Sequence, residues 1–221
     1  MEILTIIPAR KNSQRLKKKN KLFLGNKTLV ERTLNFAYKI NFSKKIIFTS
    51  DDIFNLKIKQ KKETIFIKRP SKYAKNNSKM VPVIFDALEK SKIKIKRNLS
   101  VLLLQPTSPY RSLSLINEGY KLFRKNKLKY SVVCLSTKNK KSNKSSFVIK
   151  NNFIKKRLNS KNRNGKNFEV NGNFYFATLS FLKRYKKFII PNKTIPIVTN
   201  NKKIKIDIDT RKDYLKAKEY F

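Results

Sequence analysis

Histidine is absent from this 221-residue chain, so His-based nucleophile triads and His-dependent zinc sites are excluded. The single cysteine, Cys134, lies in the apolar stretch YSVVCLS. It can form no intrachain disulfide and reads as a small buried hydrophobe in a reducing compartment. Glycine occurs only four times, and the Walker A pattern G-x-x-x-x-G-K-[ST] is missing, which disfavours P-loop chemistry. The opening MEILTIIPARK has an acidic second residue and an apolar run too short for a signal-peptide core or a bilayer span. A soluble cytoplasmic protein with no membrane partner is therefore expected. Acidic side chains are also scarce: 13 Asp and Glu stand against 55 Lys and Arg, a formal charge of +42.

That charge invites a nucleic-acid reading, because clustered cations neutralise phosphates and release counterions. The distribution argues otherwise. Lysines are scattered through nearly every segment among Asn and Ile, all three being residues of A/T-rich codons, instead of gathering on one helix or tail with interleaved aromatics. No specific nucleic-acid partner is expected, although a field of this sign favours any polyanionic substrate.

What is present suffices for one domain with a buried core, since 221 residues carry 39% hydrophobic side chains. EILTIIPA reads as a buried strand stopped near Pro8, and the basic stretch after it has no apolar periodicity and reads as a loop. Leu29, Val30, Thr33, Leu34, Ala37 and Ile40 fall at helical spacing. KKIIFTSDD, LSVLLLQPTSP and YSVVCLSTK read as strands, and VPVIFDALEKS and SLINEGYKLFRKN as the helices between them. This alternation predicts an α/β fold with a doubly wound, mostly parallel sheet and a ligand site beyond the carboxyl ends of the strands. The loops after Pro8, Ser50 and Gln105 would share that rim.

Residues 138–170 are polar and Asn-rich with short apolar pairs, as an inserted excursion of small hairpins would be. KIKIDIDTRKDYLKAKEYF then predicts a last strand and a closing helix. Ile204, Ile206 and Ile208 would share one face of that strand and Asp207 and Asp209 the other. Paired carboxylates in so acid-poor a chain suit a hard cation. A strand running into a basic loop with Ser13, opposite such a pair, can hold a triphosphate with Mg²⁺.

At these positions the chain resembles the acylneuraminate cytidylyltransferase family. IIPARKNSQRLKKKN resembles its N-terminal motif at Pro8, Ala9, Arg10, Ser13, Leu16, Lys19 and Asn20. In order follow TSDD at Thr49 to Asp52, RPSKYA at Arg69 to Ala74, LLLQPTSPYR at Leu102 to Arg111, VNGNFYF at Val170 to Phe176, and KIDIDTRKDYLKA. QPTSPYR is the most specific of the six, and together they span almost the whole chain.

The resemblance implies a Rossmann-like nucleotidyltransferase fold in which the anomeric hydroxyl of a nonulosonic acid attacks the α-phosphate of CTP and pyrophosphate leaves. It implies a triphosphate loop of Arg10, Ser13, Arg15 and Lys19, and cytidine contacts from Asn20 and Arg69. Gln105 and Tyr175 would contact the sugar acid, and Arg111 either its carboxylate or an internal bond. Asp207 and Asp209 would hold Mg²⁺, with Arg10, Lys19 and Asp209 the catalytic set. The 138–170 excursion would mediate a homodimer.

Three departures bear on specificity. Lys17 stands where the family has Pro, Asn76 and Asn77 where it has Asp-Thr, and Glu169 where sialate-type members have Arg. The sugar is thus left open among sialic, legionaminic, pseudaminic and related acids. The rival readings are a Kdo or other sugar nucleotidyltransferase, a basic nucleic-acid-binding protein, and a catalytically decayed member of the same family.

Overall fold

The computed structural model describes residues 2–52, 63–96, 98–138, 145–156 and 166–221. Its centre is a nine-stranded mixed sheet. Strand β1 (Ile3–Ala9) is buried along its whole length, as its unbroken apolar run requires. It pairs in parallel with β4 (Lys45–Ser50) on one side and β6 (Ser100–Leu103) on the other. β5 (Thr64–Lys68) extends the sheet beyond β4. On the other side β10 (Phe168–Thr178) runs antiparallel between β6 and β7 (Ser131–Thr137), and β11 (Thr194–Thr199) closes the edge parallel to β7. The doubly wound, mostly parallel sheet read from the sequence is therefore present, with one antiparallel strand inside it.

Helices cover both faces. α1 (Leu29–Ala37) and α3 (Leu113–Lys125) pack on one side, where Val30, Leu34, Ile116 and Phe123 meet Ile7, Phe48, Leu102 and Phe176. α2 (Met80–Lys90) and α4 (Leu179–Tyr185) pack on the other, where Val81, Ile84, Leu88 and Leu182 meet Leu4, Ile47, Leu103 and Val133. The start of α1 is set by sequence. Thr28 accepts from the Glu31 amide while the Glu31 carboxylate accepts from the Thr28 amide, a complete capping box. Thr210 and Asp213 form the same device at α5 (Arg211–Lys218).

The excursion contains a hairpin, β8 (Phe147–Lys150) with β9 (Phe153–Lys156), tied to the sheet where Phe147 opposes Phe168 of β10. Residues 139–144 and 157–165 of the 138–170 segment lie outside the described residues.

One expected element differs. Residues 204–209 form no strand: a turn over 202–205 leads into irregular chain beside the loop after β6. Its amide partner is a loop carbonyl, since Ile208 N–H donates to Thr107 O at 2.7 Å. The alternation survives without the ladder. Ile204, Ile206 and Ile208 are buried while Asp207 and Asp209 are partly exposed. Ile206 and Ile208 belong to a third, smaller apolar cluster with Leu16, Leu24, Leu29, Tyr214 and Ala217. A short antiparallel pair, β2 (Phe23–Leu24) and β3 (Lys27–Thr28), links the basic loop to α1 beside that cluster.

This third cluster is where fold and site meet, because Leu16 lies in the basic loop and Ile208 sits between the two aspartates. Ile208 is fully buried. Ile208→Ala is expected to lower unfolding stability by about 2–5 kcal/mol, the range for truncating a buried Ile. A shifted urea midpoint at unchanged m-value checks this; no shift would mean that the cluster does not hold the segment.

Candidate active site

The strand order reverses at β1, with β4 and β5 to one side and β6 to the other. In doubly wound sheets the crevice beyond the strand ends at such a point is where ligands bind. Here that crevice holds a cavity of about 280 Å³, bordered by Pro8 and Arg10 at the end of β1 and by Gln105, Pro106 and Thr107 after β6. Ser13, Lys19 and Asn20 of the basic loop, Arg69 after β5, and Asp207 and Asp209 complete its polar wall.

The basic loop is held at several points. The Asn20 side chain donates to Arg10 O at 2.8 Å, which closes the loop on itself. Lys11 N–H donates to Asp51 at 2.8 Å, and Lys21 pairs with the buried Asp52 at 2.8 Å. The TSDD element thus braces both ends of the loop, a role that the sequence motif alone did not reveal. Asn20 is buried and serves the loop backbone while also lining the cavity.

Opposite the loop, Asp209 accepts from Arg15 Nη2 and from Lys19 Nζ, each at 2.8 Å. The two contacts differ in environment. The Arg15 side chain is 66% exposed and the Lys19 side chain 12%. An ion pair as open as the first contributes about 0–1 kcal/mol, whereas the enclosed Lys19 is left without its compensating carboxylate if Asp209 is removed. The backbone of Asp209 is itself fixed, its N–H donating to Asp213 of the α5 capping box at 3.1 Å.

On the third side of the cavity, Arg10 Nη1 donates to Asn76 Oδ1 at 2.5 Å. Arg69 is buried, with Nη2 donating to Thr49 O at 2.8 Å and Nε without a hydrogen-bond partner. Burial pushes its guanidinium down to about 10, a trend opposed by Asp51 and reinforced by Arg10. A desolvated guanidinium with unspent hydrogen-bonding capacity, close to a second one, is suited to an anion.

The residues read as sugar contacts are split. Gln105 lines the cavity, but Tyr175 and Arg111 stand behind it. Tyr175 is buried in the core against Phe188 and donates to Gln105 Oε1 at 3.1 Å. Its phenol is raised well above the ordinary range by burial. Arg111 binds the carbonyls of Gln105 and Asn173 and the hydroxyl of Thr33, which is the internal structural use. Burial lowers its guanidinium to about 9, with Asp207 opposing the shift. Both residues grip Gln105, Arg111 at its backbone carbonyl and Tyr175 at its side-chain oxygen. Glu169 lies farther along β10, opposite Ser136.

Gly172 sits at this junction with φ +76°, in a break of the β10–β7 register. A Cβ there would stand 2.7 Å from Ser108 Oγ, 3.3 Å from Gln105 Oε1 and 3.4 Å from Asp207 Oδ1. The NG of VNGNFYF therefore marks a close approach of backbone to polar side chains.

Two carboxylates with no third His, Cys, Asp or Glu among the described residues do not make a self-sufficient metal cage. They do suit Mg²⁺, which keeps several waters and binds through one or two carboxylates together with substrate phosphates.

An α/β sheet with a braced cationic loop at its switch point, facing a carboxylate pair, is the architecture of a nucleotidyltransferase. The chain belongs to the cytidylyltransferase family, whose profile matches residues 4–220. It is 31% identical over 229 residues to the N-acylneuraminate cytidylyltransferase of Escherichia coli O18:K1:H7, covering 96% of this chain and 50% of that protein. The chain thus spans half the length of that relative. It is 30% identical over 224 residues to the CMP-N,N'-diacetyllegionaminic acid synthase of Legionella pneumophila, covering 97% and 94% of the two chains. The 3-deoxy-manno-octulosonate cytidylyltransferase of Wigglesworthia glossinidia brevipalpis is 28% identical over 186 residues, 70% of this chain and 73% of that one. Among solved structures, a CMP:2-keto-3-deoxy-manno-octonic acid synthetase complexed with CTP superposes with a TM-score of 0.75 over 100% of this chain and 98% of that one. At 12% identity that likeness speaks for the fold alone.

Gly172→Ala is expected to cost about 1–3 kcal/mol of stability, through a left-handed backbone now carrying a Cβ and the contact with Ser108. Denaturant unfolding measures it, and an unchanged midpoint would show that the break in β10 tolerates a side chain.

Proposed function

We propose that the protein transfers CMP from CTP to the anomeric hydroxyl of a nonulosonic acid and releases pyrophosphate. The observation that carries this reading is the convergence of Arg10, Lys19 and Arg69 with Asp207 and Asp209 on one cavity at the switch point. The relatives support it from the side of sequence: the E. coli and Legionella proteins are named for CMP-activated acids of this class. QPTSPYR favours that branch over the Kdo branch, where an acidic segment stands in its place.

Phosphoryl-type transfer demands positioning and stabilisation of charge on phosphate oxygens more than a strong base, so the absence of His is no obstacle. Arg10, Ser13, Arg15 and Lys19 bind the triphosphate, and Asn20 and Arg69 stand at the cytidine end. Gln105, held by Tyr175 and Arg111, orients the sugar acid. As the hydroxyl oxygen bonds to the α-phosphorus and its proton passes to solvent water, the bond from the α-phosphorus to the bridging β-phosphate oxygen breaks, and the cationic loop takes up the charge of the leaving pyrophosphate. Bound by Asp207 and Asp209, Mg²⁺ supplies neutralisation of phosphate charge and alignment of the triphosphate. The overall positive field raises the local concentration of the nucleotide. Among the described residues no helix is long and apolar enough to cross a membrane. CTP as substrate and a buried reduced Cys134 accord with the cytoplasm. A homodimer built through the 138–170 excursion completes the proposal.

Pyrophosphate release is expected with CTP, Mg²⁺ and one nine-carbon 2-keto acid, and not with ATP, GTP or UTP. A panel of nonulosonic acids plus Kdo identifies the sugar; release with Kdo alone would transfer the assignment to the Kdo branch, and no release with any pair would refute the proposal. Asp209→Ala should lower turnover by roughly 10³-fold, as expected for a metal-holding carboxylate, with the fold intact by circular dichroism. Retained turnover would remove its assigned role. Size-exclusion chromatography with light scattering should give twice the 26.1 kDa chain mass, and a strict monomer at micromolar concentration would remove the dimer.

A further inference from the structure

A second cavity, about 390 Å³, opens on a different face and shares no lining residue with the nucleotide cavity. One wall is α1 with its C-terminal extension, where Arg32, Asn35 and Lys39 recur at helical spacing on one face. The segment 109–112 and the start of the 202–205 turn form the others, bringing in Arg111 and Lys203, and Lys27 closes the rim.

In a chain this basic, cations alone would mean little. What separates this cavity is the lack of any carboxylate in its lining, whereas the nucleotide cavity has Asp207 and Asp209 and the depression around Arg69 has Asp51. Lys27, Arg32, Lys39, Lys203 and Arg111 form no ion pair among the described residues. Arg32 adds an independent sign. Its Nε is buried without a partner although Nη1 donates to Leu24 O at 3.0 Å and the guanidinium lies 4.6 Å over the Phe221 ring. Burial lowers the Arg32 guanidinium, with the Tyr110 phenol opposing the shift. A partly desolvated guanidinium with an unused buried N–H, ringed by unpaired ammonium groups, lacks only an acceptor.

We propose that this cavity is a second anion site that takes a compact, multiply charged phosphate group, either free or carried on a nucleotide. Its position gives it a line to the reaction, because Arg111 borders the cavity and also binds the carbonyl of Gln105 in the active site.

The test measures binding of inorganic pyrophosphate and of CMP by calorimetry at physiological salt. Lys19→Ala serves as background, so that the triphosphate loop does not mask the second site. One equivalent of ligand should still bind. Adding Lys39→Gln and Lys203→Gln, both exposed, should weaken that binding by about tenfold or more, as expected for losing charge-assisted contacts. A control pair on the far side, Lys183→Gln with Lys187→Gln, should leave it unchanged. Tighter binding of CMP would assign the site to a nucleotide phosphate, and tighter binding of pyrophosphate to the free anion. No residual binding in the Lys19→Ala protein, or an equal loss in the control pair, would overturn the proposal. The Lys39→Gln/Lys203→Gln protein with Lys19 intact should still turn over CTP, so failure of the second site and failure of the reaction assignment are separately visible.

Discussion

The carboxylate of Asp209 ties together two parts of the chain that lie about as far apart in sequence as the molecule allows. It accepts from Arg15 and Lys19 across separations of 194 and 190 residues. Such a contact has a large closure entropy and cannot be sustained by two ion pairs, one of them open to water. Its support is apolar. Leu16, next to Arg15, and Ile208, next to Asp209, lie in one small cluster with Tyr214 and Ala217 of the last helix. Burial at tens of calories per Å² holds loop and rim segment together, and the charges are then placed at hydrogen-bonding distance with little further cost. The site is therefore organised before any ligand arrives, the condition under which electrostatic stabilisation is most effective.

Scarcity of acids makes their placement informative. Of the 13 acidic residues, Asp51, Asp52 and Asp209 all serve the basic loop, at Lys11, at Lys21, and at Arg15 and Lys19. Asp213 fixes the backbone of Asp209, and Glu31 caps the helix that follows the loop. Elsewhere, most lysines stand in water. A nucleotide bias that fills a surface with lysine leaves the core and the rim of the sheet under ordinary physical constraint, so the local pattern of charge is meaningful where the total is not.

The elements were legible because their periodicities are strong: seven buried residues in β1, and a helical stripe from Leu29 to Ala37. So was the site's location, since the order of strands and helices sets the switch point. The segment 204–209 carries the alternation of a strand without forming one. Alternation of Ile and Asp reports burial on one side, and a chain lying over an apolar cluster alternates as a strand does. Roles of buried polar groups were less accessible. Nothing local in PYR tells that Arg111 turns inward to three internal acceptors, or that Tyr175 reaches Gln105 from behind. All but the Arg111–Gln105 contact join residues 62 to 78 positions apart in the sequence.

Departures from the family pattern acquire a physical meaning in this geometry. Asn76 is the acceptor for Arg10 where the family has an acid. An aspartate there would neutralise Arg10 within the cavity, whereas an amide oxygen orients the guanidinium and leaves its charge unspent. In the proposed pose the phosphates lie along Arg10 and the loop cations Arg15 and Lys19, and the uncharged ring lies toward Asn20 and Arg69. An aspartate at position 76 would stand at Arg10 and set phosphate against carboxylate in a low-dielectric crevice, which is costly. The neutral acceptor thus keeps the phosphate end of the cavity cationic, and the overall excess of lysine adds only attraction.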